Sequence, residues 1–232
     1  MSAKGPRNKM IRGDLLQKAA ALFVEKGFAS TNIQDIADAV GLSRPSLYYY
    51  FKNKDEVLTA LVEEATTYPV TILDKHRRDS LLKPAERLRN AMAELVAWII
   101  RSPLVIKVLE TNEARLPANL AEEHQQAKRR VLKAFVDMIT DGIQSGDFRP
   151  VDPRVAAFAL IGMGNWTAWW YAPGGERSVA EVADQFAEMA VRSLSWAEAQ
   201  PSAGGGVDQA VARLKADITL LENAISVQKN TI

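Results

Sequence analysis

An all-α fold is predicted for this chain of 232 residues, and three observations predict it. Apolar residues recur every third or fourth position in each long segment, the period of a helix with one buried face. No stretch alternates with period two for long enough to suggest a sheet. Helix punctuation recurs along the chain, with glycines past helix ends and Ser, Asp or Asn just before helix starts. A content of 47% hydrophobic and 25% charged residues suits a globular protein with a real core. At this length one large domain or two unequal ones is expected.

The first helix is expected from about Ile11 to Lys26, burying Ile11, Leu15, Ala19, Leu22 and Phe23, with Gly27 as its C-terminal stop. Later helices are expected at about 55–68, 84–101, 103–112, 119–145, 153–172 and 178–197. Ser102-Pro103 and Asp152-Pro153 each place a capping oxygen before a proline at the first helical position. Ser178 with Glu181 has the capping-box spacing. Gly146 closes a long helix before Asp147-Phe148-Arg149-Pro150.

From Val155 to Gly175 there is no charge, which is long enough on paper for a bilayer span. Gly162, Gly164, Asn165 and Thr167 interrupt it, and Trp166, Trp169, Trp170 and Tyr171 crowd one end. A buried central helix fits better. The N-terminus has no apolar signal-peptide region, so a cytoplasmic protein without membrane contact is expected.

Pro201-Ser202-Ala203-Gly204-Gly205-Gly206 reads as a flexible linker. Beyond it Val207, Val211, Leu214, Ile218, Leu221 and Ile225 follow at spacings of 4, 3, 4, 3 and 4, with Ile232 one repeat further. That is a heptad seam too short to be stable alone. It is expected to pair with its symmetry mate, with another dimer, or with a groove on its own subunit, an intermolecular contact being preferred.

The absence of cysteine removes disulfides, thiolate catalysis, iron–sulfur clusters and zinc fingers. With only His76 and His124, a histidine-based metal site or catalytic triad has no material. No glycine-rich phosphate loop or activated nucleophile is present, so no enzyme, metal or cofactor is expected. Net charge is +1, yet residues 1–55 hold nine basic side chains against five acidic, and the remainder 20 against 23. A small anion-binding module attached to a near-neutral body would show this asymmetry, as would a solvated face.

Residues 30–51 encode two short helices and a tight turn. Asn32 can cap the first, with Asp35 three residues on, and Ile33, Ile36, Ala37 and Val40 form its apolar stripe. Gly41 stands where the chain must reverse, and Ser43 caps a second helix anchored by Leu47 and by Tyr50 or Phe51. Packed on a longer preceding helix, this is a helix-turn-helix, whose second helix enters the DNA major groove. Arg44, Pro45, Ser46 and Tyr49 on that helix suit groove contacts better than a core. An ordinary helical hairpin has the same spacing.

Thr31 to Lys54, with Ile36-Ala37, Gly41-Leu42-Ser43, Leu47-Tyr48, Phe51 and Lys52-Asn53-Lys54-Asp55, resembles the DNA-binding domain of the TetR (tetracycline-repressor-like) family over roughly residues 10–60. The resemblance implies a homodimeric repressor released from operator DNA by a small-molecule effector. It assigns Thr31 and Gln34 to the DNA backbone, Arg44, Pro45, Ser46 and Tyr49 to the major groove, and Tyr48 and Lys54 to phosphates. Tyr50 departs from the histidine that many relatives carry. A basic arm of Lys4, Arg7, Lys9 and Arg12 could track the DNA or lie solvated.

Three parts follow: a helix-turn-helix domain with its arm over 1–55, a ligand-binding and dimerisation domain over 56–200, and the linker and extra helix over 201–232. Gly162 and Ala159 would let two subunits approach, and Val182, Phe186, Met189 and Leu194 give the following helix an apolar stripe. Candidate pocket residues are Trp98, Phe135, Met138, Met163, Asn165, Trp166, Trp169 and Trp170, since ligand pockets are apolar and aromatic with a few polar anchors. Arg77-Arg78 and Lys128-Arg129-Arg130 could hold an anionic group. A bulky apolar effector such as an acyl-CoA thioester is preferred. The competing reading is a helical lipid- or acyl-binding protein without sequence-specific DNA binding, and an activator or protein-controlled regulator is also open.

Overall fold

The computed structural model describes residues 6–113 and 116–196 and, further on, Val211, Leu214, Lys215, Asp217 and Ile218. The chain divides into two units, 1–196 and 197–232. Described helices of the first unit are α1 (Pro6–Glu25), α2 (Ile33–Ala39), α3 (Arg44–Tyr48), α4 (Lys54–Arg77), α5 (Pro84–Arg101), α6 (Pro103–Asn112), α7 (Ala118–Gln144), α8 (Pro153–Trp170) and α9 (Val179–Leu194). The all-α expectation is met.

The first helix begins at Pro6, not near Ile11, because proline fits a helix's first turn. Part of the expected arm is therefore helix: Arg7 and Lys9 lie in α1, and Arg12 holds its guanidinium 5.1 Å from the Phe51 ring. Lys4 lies outside the described residues. Leu15, Ala19 and Phe23 are buried as expected, joined by Leu16 and Ala20, while Ile11 and Leu22 are half-buried. Asn32 and Asp35 form a reciprocal capping box at α2, with Asp35 N to Asn32 Oδ1 at 2.9 Å and Asn32 N to Asp35 Oδ2 at 2.8 Å. Gly41 takes φ +68°, the left-handed conformation that turns the chain into α3.

The fourth helix departs most from expectation. It runs 24 residues, through Pro69, where the sequence suggested a stop near residue 68. Leu61, Ala65, Pro69, Ile72, Leu73 and His76 are all buried along one stripe, so tertiary packing outweighs the one hydrogen bond that proline removes. At the other end, Lys54 Nζ donates to the carbonyls of Phe28 (2.9 Å), Ala29 (3.1 Å) and Thr31 (2.9 Å) and lies 4.7 Å from the Phe28 ring. All three ammonium protons are spent on the turn between α1 and α2.

In the body, α5 is central and packs against α4, α7, α8 and α9. It buries Leu88, Ala91, Met92, Leu95, Val96 and Ile99. α1 packs on both α4 and α6, which joins the N-terminal helices to the body. Asp152 and Ser178 cap α8 and α9 as expected. Ser102 precedes Pro103 but makes no side-chain cap bond; its backbone is at φ −126°, ψ 47°, away from the extended cap geometry. Gly142 in α7 has the Phe148 ring directly where a Cβ would stand, and Phe148 N returns to Gly142 O at 2.9 Å.

Two further expectations change. α8 is buried on one face only, through Ala157, Leu160, Gly164, Thr167 and Ala168, while Phe158 and Trp166 are 54% and 64% exposed. Val182 and Leu194 are buried within the chain itself, where α9 packs on α5, and do not belong to an outward stripe. Phe186 is half-buried and Met189 exposed. Among the described residues no helix is long and apolar enough to cross a membrane. In the second unit Val211, Leu214 and Ile218 are helical and exposed. The linker 201–206 and the remaining seam residues Val207, Leu221, Ile225 and Ile232 lie outside the described residues.

Three substitutions test these packing claims. Gly142→Ala should lower stability by about 1–3 kcal/mol through overlap with Phe148, whereas Gly13→Ala, in open helix, should raise it by roughly 0.5–1 kcal/mol. Lys54→Met should cost about 1–3 kcal/mol because three carbonyls, two of them part-buried, lose a charged donor. Urea melts would read all three, and a neutral Lys54→Met would refute the tie.

Candidate DNA-binding surface and ligand cavity

Burial of Leu47 (0% exposed) and Phe51 (3%) turns the opposite side of α3 outward. Arg44, Pro45, Ser46, Tyr48 and Tyr49 are all exposed on it, as the sequence suggested for four of them and implied for Tyr48. Ser43 caps the helix, and its Oγ lies 2.8 Å from Ser46 Oγ. Arg44 stacks over the Tyr48 ring at 5.6 Å and donates from Nη2 to Tyr48 Oη at 3.2 Å. That contact lays the guanidinium along the exposed side of the helix, toward Tyr48. Tyr49 is 70% exposed and meets half-buried Tyr50 edge-on at 5.2 Å, so Tyr50 is the packing support of an outward tyrosine.

Two residues assigned to the DNA backbone point elsewhere. Thr31 is 1% exposed and its hydroxyl donates to Gly27 O at 2.9 Å. Lys54 is committed to the three carbonyls already described. Both fix the scaffold under α2 and α3, and neither has a free side-chain donor for a phosphate. Gln34 remains on the exposed surface and bonds Asp38 at 2.7 Å.

A cavity of about 380 Å³ lies in the body between α4, α5, α6, α7 and α8. Trp98, Ile99, Ile106, Leu109, Val131 and Leu132 give it apolar walls. Of the eight pocket candidates, Trp98 and Asn165 line it. Phe135 and Met138 are fully buried in the core, and Met163 is half-buried against it. Trp166, Trp169 and Trp170 stand on the exposed outer face of α8. The physical reason is helical phase: each residue advances about 100°, so Trp166 and Trp170 fall well round the helix from Ile161 and Asn165, while Trp169 and the half-exposed Phe158 stand at the edge between the two faces. Trp169 Nε1 donates to Glu110 at 3.0 Å beneath Lys107, and Trp170 stacks on Phe186 at 6.2 Å.

The basic clusters are largely spent. Arg77 pairs with Asp137 (3.1 Å) and Asp74 (3.4 Å), Arg130 with Asp74 (3.1 Å), and Lys128 with Glu113 (2.8 Å). Arg129 lines the cavity and has no ion-pair partner among the described residues. The hydrogen bond from Lys128 holds the Glu113 carboxyl below the usual carboxylate range. Burial pushes the His124 imidazole below its ordinary value, so it is neutral near pH 7. His124, Glu113 and Glu110 were not singled out from the sequence. The available signal was the face of α7 at His124, Lys128, Val131 and Leu132, which runs from polar to apolar at helical spacing.

Residues 15–61 match the family described as bacterial regulatory proteins, tetR family, and residues 81–194 match the tetracyclin repressor-like C-terminal domain. Transcriptional regulator AcuR of Cereibacter sphaeroides is 32% identical over 172 residues, covering 71% of this chain and 75% of AcuR. The structure of the ketosteroid transcriptional regulator KstR2 of Mycobacterium tuberculosis superposes with a TM-score of 0.71 at 26% identity, covering 80% of this chain and 95% of that one. AibR in complex with isovaleryl coenzyme A and operator DNA gives 0.61 at 26% identity, covering 80% and 98%. With an N-terminal helix-turn-helix and a helical ligand-binding domain both matched, the chain belongs to the TetR family of bacterial transcriptional regulators.

Proposed function

We propose that this protein is a non-enzymatic, ligand-responsive repressor that binds a palindromic operator as a homodimer and is released by a bulky apolar small molecule such as an acyl-CoA thioester. The observation that carries the DNA half is α3, with Leu47 anchored and Arg44, Pro45, Ser46, Tyr48 and Tyr49 turned to solvent. The outer face of α8 supports the dimer: Val155, Phe158, Trp166, Trp169 and Trp170 leave a broad apolar surface, and Gly162 among them offers open space. Two copies joined there would present two recognition helices to half-sites one helical turn apart.

The cavity supports the effector class. Its apolar walls suit an acyl group, and Arg129 at the lining offers a positive charge for an anionic carrier. AibR, similar in fold, binds isovaleryl coenzyme A. Release follows from connectivity. α4 carries Ala65, Thr66 and Pro69 on the cavity wall and Lys54 on the helix-turn-helix. α6 carries Ile106, Leu109 and Glu110 on the wall and packs against α1. An occupant relieves repression only by binding the DNA-incompetent arrangement more tightly.

Arg44→Ala should weaken specific operator binding by about 1–3 kcal/mol per half-site and relax base preference, while Tyr48→Phe should weaken all sequences alike. Gel retardation on operator and scrambled duplexes reads both, and an unchanged ratio for Arg44→Ala would remove it from base recognition. Decanoyl-CoA should release the operator and quench Trp98, which stacks on Tyr68 at 5.6 Å beside the cavity. Tight decanoyl-CoA binding by a protein that retards no duplex would favour a carrier instead.

A further inference from the structure

Among the groups lining the cavity, most polar side chains are already satisfied. Glu113 Oε1 accepts from Gln125 (2.7 Å) and Lys128 (2.8 Å), and Glu110 accepts from Trp169. Two are not. His124 Nδ1 is buried with no hydrogen-bond partner among the described residues. Asn165, half-buried on α8, lines the same space, and its amide makes no hydrogen bond among the described residues. A buried nitrogen left bare costs its full desolvation; the imidazole itself lines the cavity, so a turn of the ring about its bond to Cβ would bring this nitrogen to an occupant and satisfy it.

We propose that His124 is the specificity-determining residue of the cavity, hydrogen-bonding a single uncharged oxygen, carbonyl or hydroxyl, on an otherwise apolar occupant. The inference rests on the reading of this cavity as the effector site. A neutral imidazole carries one N–H and one lone pair and can exchange them by tautomerisation, so it serves a carbonyl as donor or a hydroxyl as acceptor. Burial keeps it neutral, which disfavours an anionic group at this point. Any charged part of the occupant belongs at Arg129. The apolar walls contribute affinity for the body of the ligand, and they discriminate poorly between molecules of equal shape. A site built to hydrogen-bond an oxygen rejects the analogue that lacks it, because the protein's own group is then left unpaired.

Three near-isosteric probes separate these contributions: tetralin with no oxygen, 1-tetralone with a carbonyl and 1-tetralol with a hydroxyl. Titrations of the full chain, followed by Trp98 fluorescence and calorimetry, give the preference for each oxygenated probe over tetralin. The expected result is a preference of roughly tenfold or more in the unaltered protein for at least one of them, the size of one buried hydrogen bond. His124→Leu should abolish the preference while leaving tetralin affinity within about threefold, and His124→Gln should restore part of it. With only two histidines in the chain, imidazole nitrogen resonances report directly. The His124 Nδ1 signal should move further with the preferred oxygenated probe than with tetralin.

Equal preference in the unaltered protein and His124→Leu overturns the proposal, as does failure of all three probes to bind. Transfer of the loss to Asn165→Leu, with His124→Leu inert, also overturns it and shifts the role to the amide. If the oxygen preference is present but decanoyl-CoA leaves the operator bound, the acyl thioester reading fails and the role of His124 stands.

Discussion

The arrangement of the DNA-binding surface depends on one ammonium group. Lys54 opens α4, and its three protons reach the carbonyls of Phe28, Ala29 and Thr31, residues distant in sequence. A positive charge at a helix N-terminus opposes the helix dipole, and Asp55 and Glu56 in the same turn offset it. Thr31 adds a second tie, its hydroxyl bonded to Gly27 at the end of α1. The turn before α2 and the start of α4 are thereby held to each other. α3 lies between them in sequence, with Leu47 and Phe51 sealed into the core. The direction in which Arg44 and Tyr49 face therefore follows the direction of α4.

Local signals read well from the sequence because they are decided locally. The capping pairs Asn32/Asp35 and Ser178/Glu181 and the turn at Gly41 involve neighbours a few residues apart, and all form as expected. Signals that depend on distant packing did not. The helix expected over about 55–68 runs on through Pro69, since the buried stripe that carries α4 past it is created by α5 and α7. The density of tryptophan in α8 suggested a pocket, but which side of that helix faces inward is set by its neighbours. Three tryptophans thus lie outside, while Asn165, one residue from the first of them, faces the cavity. The motif around Thr31 and Lys54 was visible as a pattern, yet a pattern does not say whether a side chain points out of the fold or into it. For His124 the sequence offers only its place on a helix face that runs from polar to apolar; the cavity gives that place its meaning.

Charge in the body is arranged by mutual cancellation. Asp74 alone meets Arg77, Arg78 and Arg130, and Glu94 meets Lys75 and His76 at 2.8 and 2.7 Å. The more exposed contacts among them, from Arg78 and Arg130 to Asp74 and from Lys75 to Glu94, add little stability. Their effect is to quiet the field of the large domain, so that the excess of cations in residues 1–55 dominates what a polyanion meets from a distance.

Pro69 has a mechanical consequence. It has no N–H to give to the carbonyl of Ala65, and both residues border the cavity. The backbone ladder of α4 therefore lacks one rung at the height where an occupant would press. On one side of that gap the helix is moored by Lys54 to the N-terminal helices, and on the other Val70, Ile72 and Leu73 are sunk in the body. Bending at a place where no hydrogen bond has to break is cheap compared with bending an intact helix. α4 thus joins the N-terminal helices to the cavity wall in one continuous helix whose one missing backbone hydrogen bond falls beside that wall.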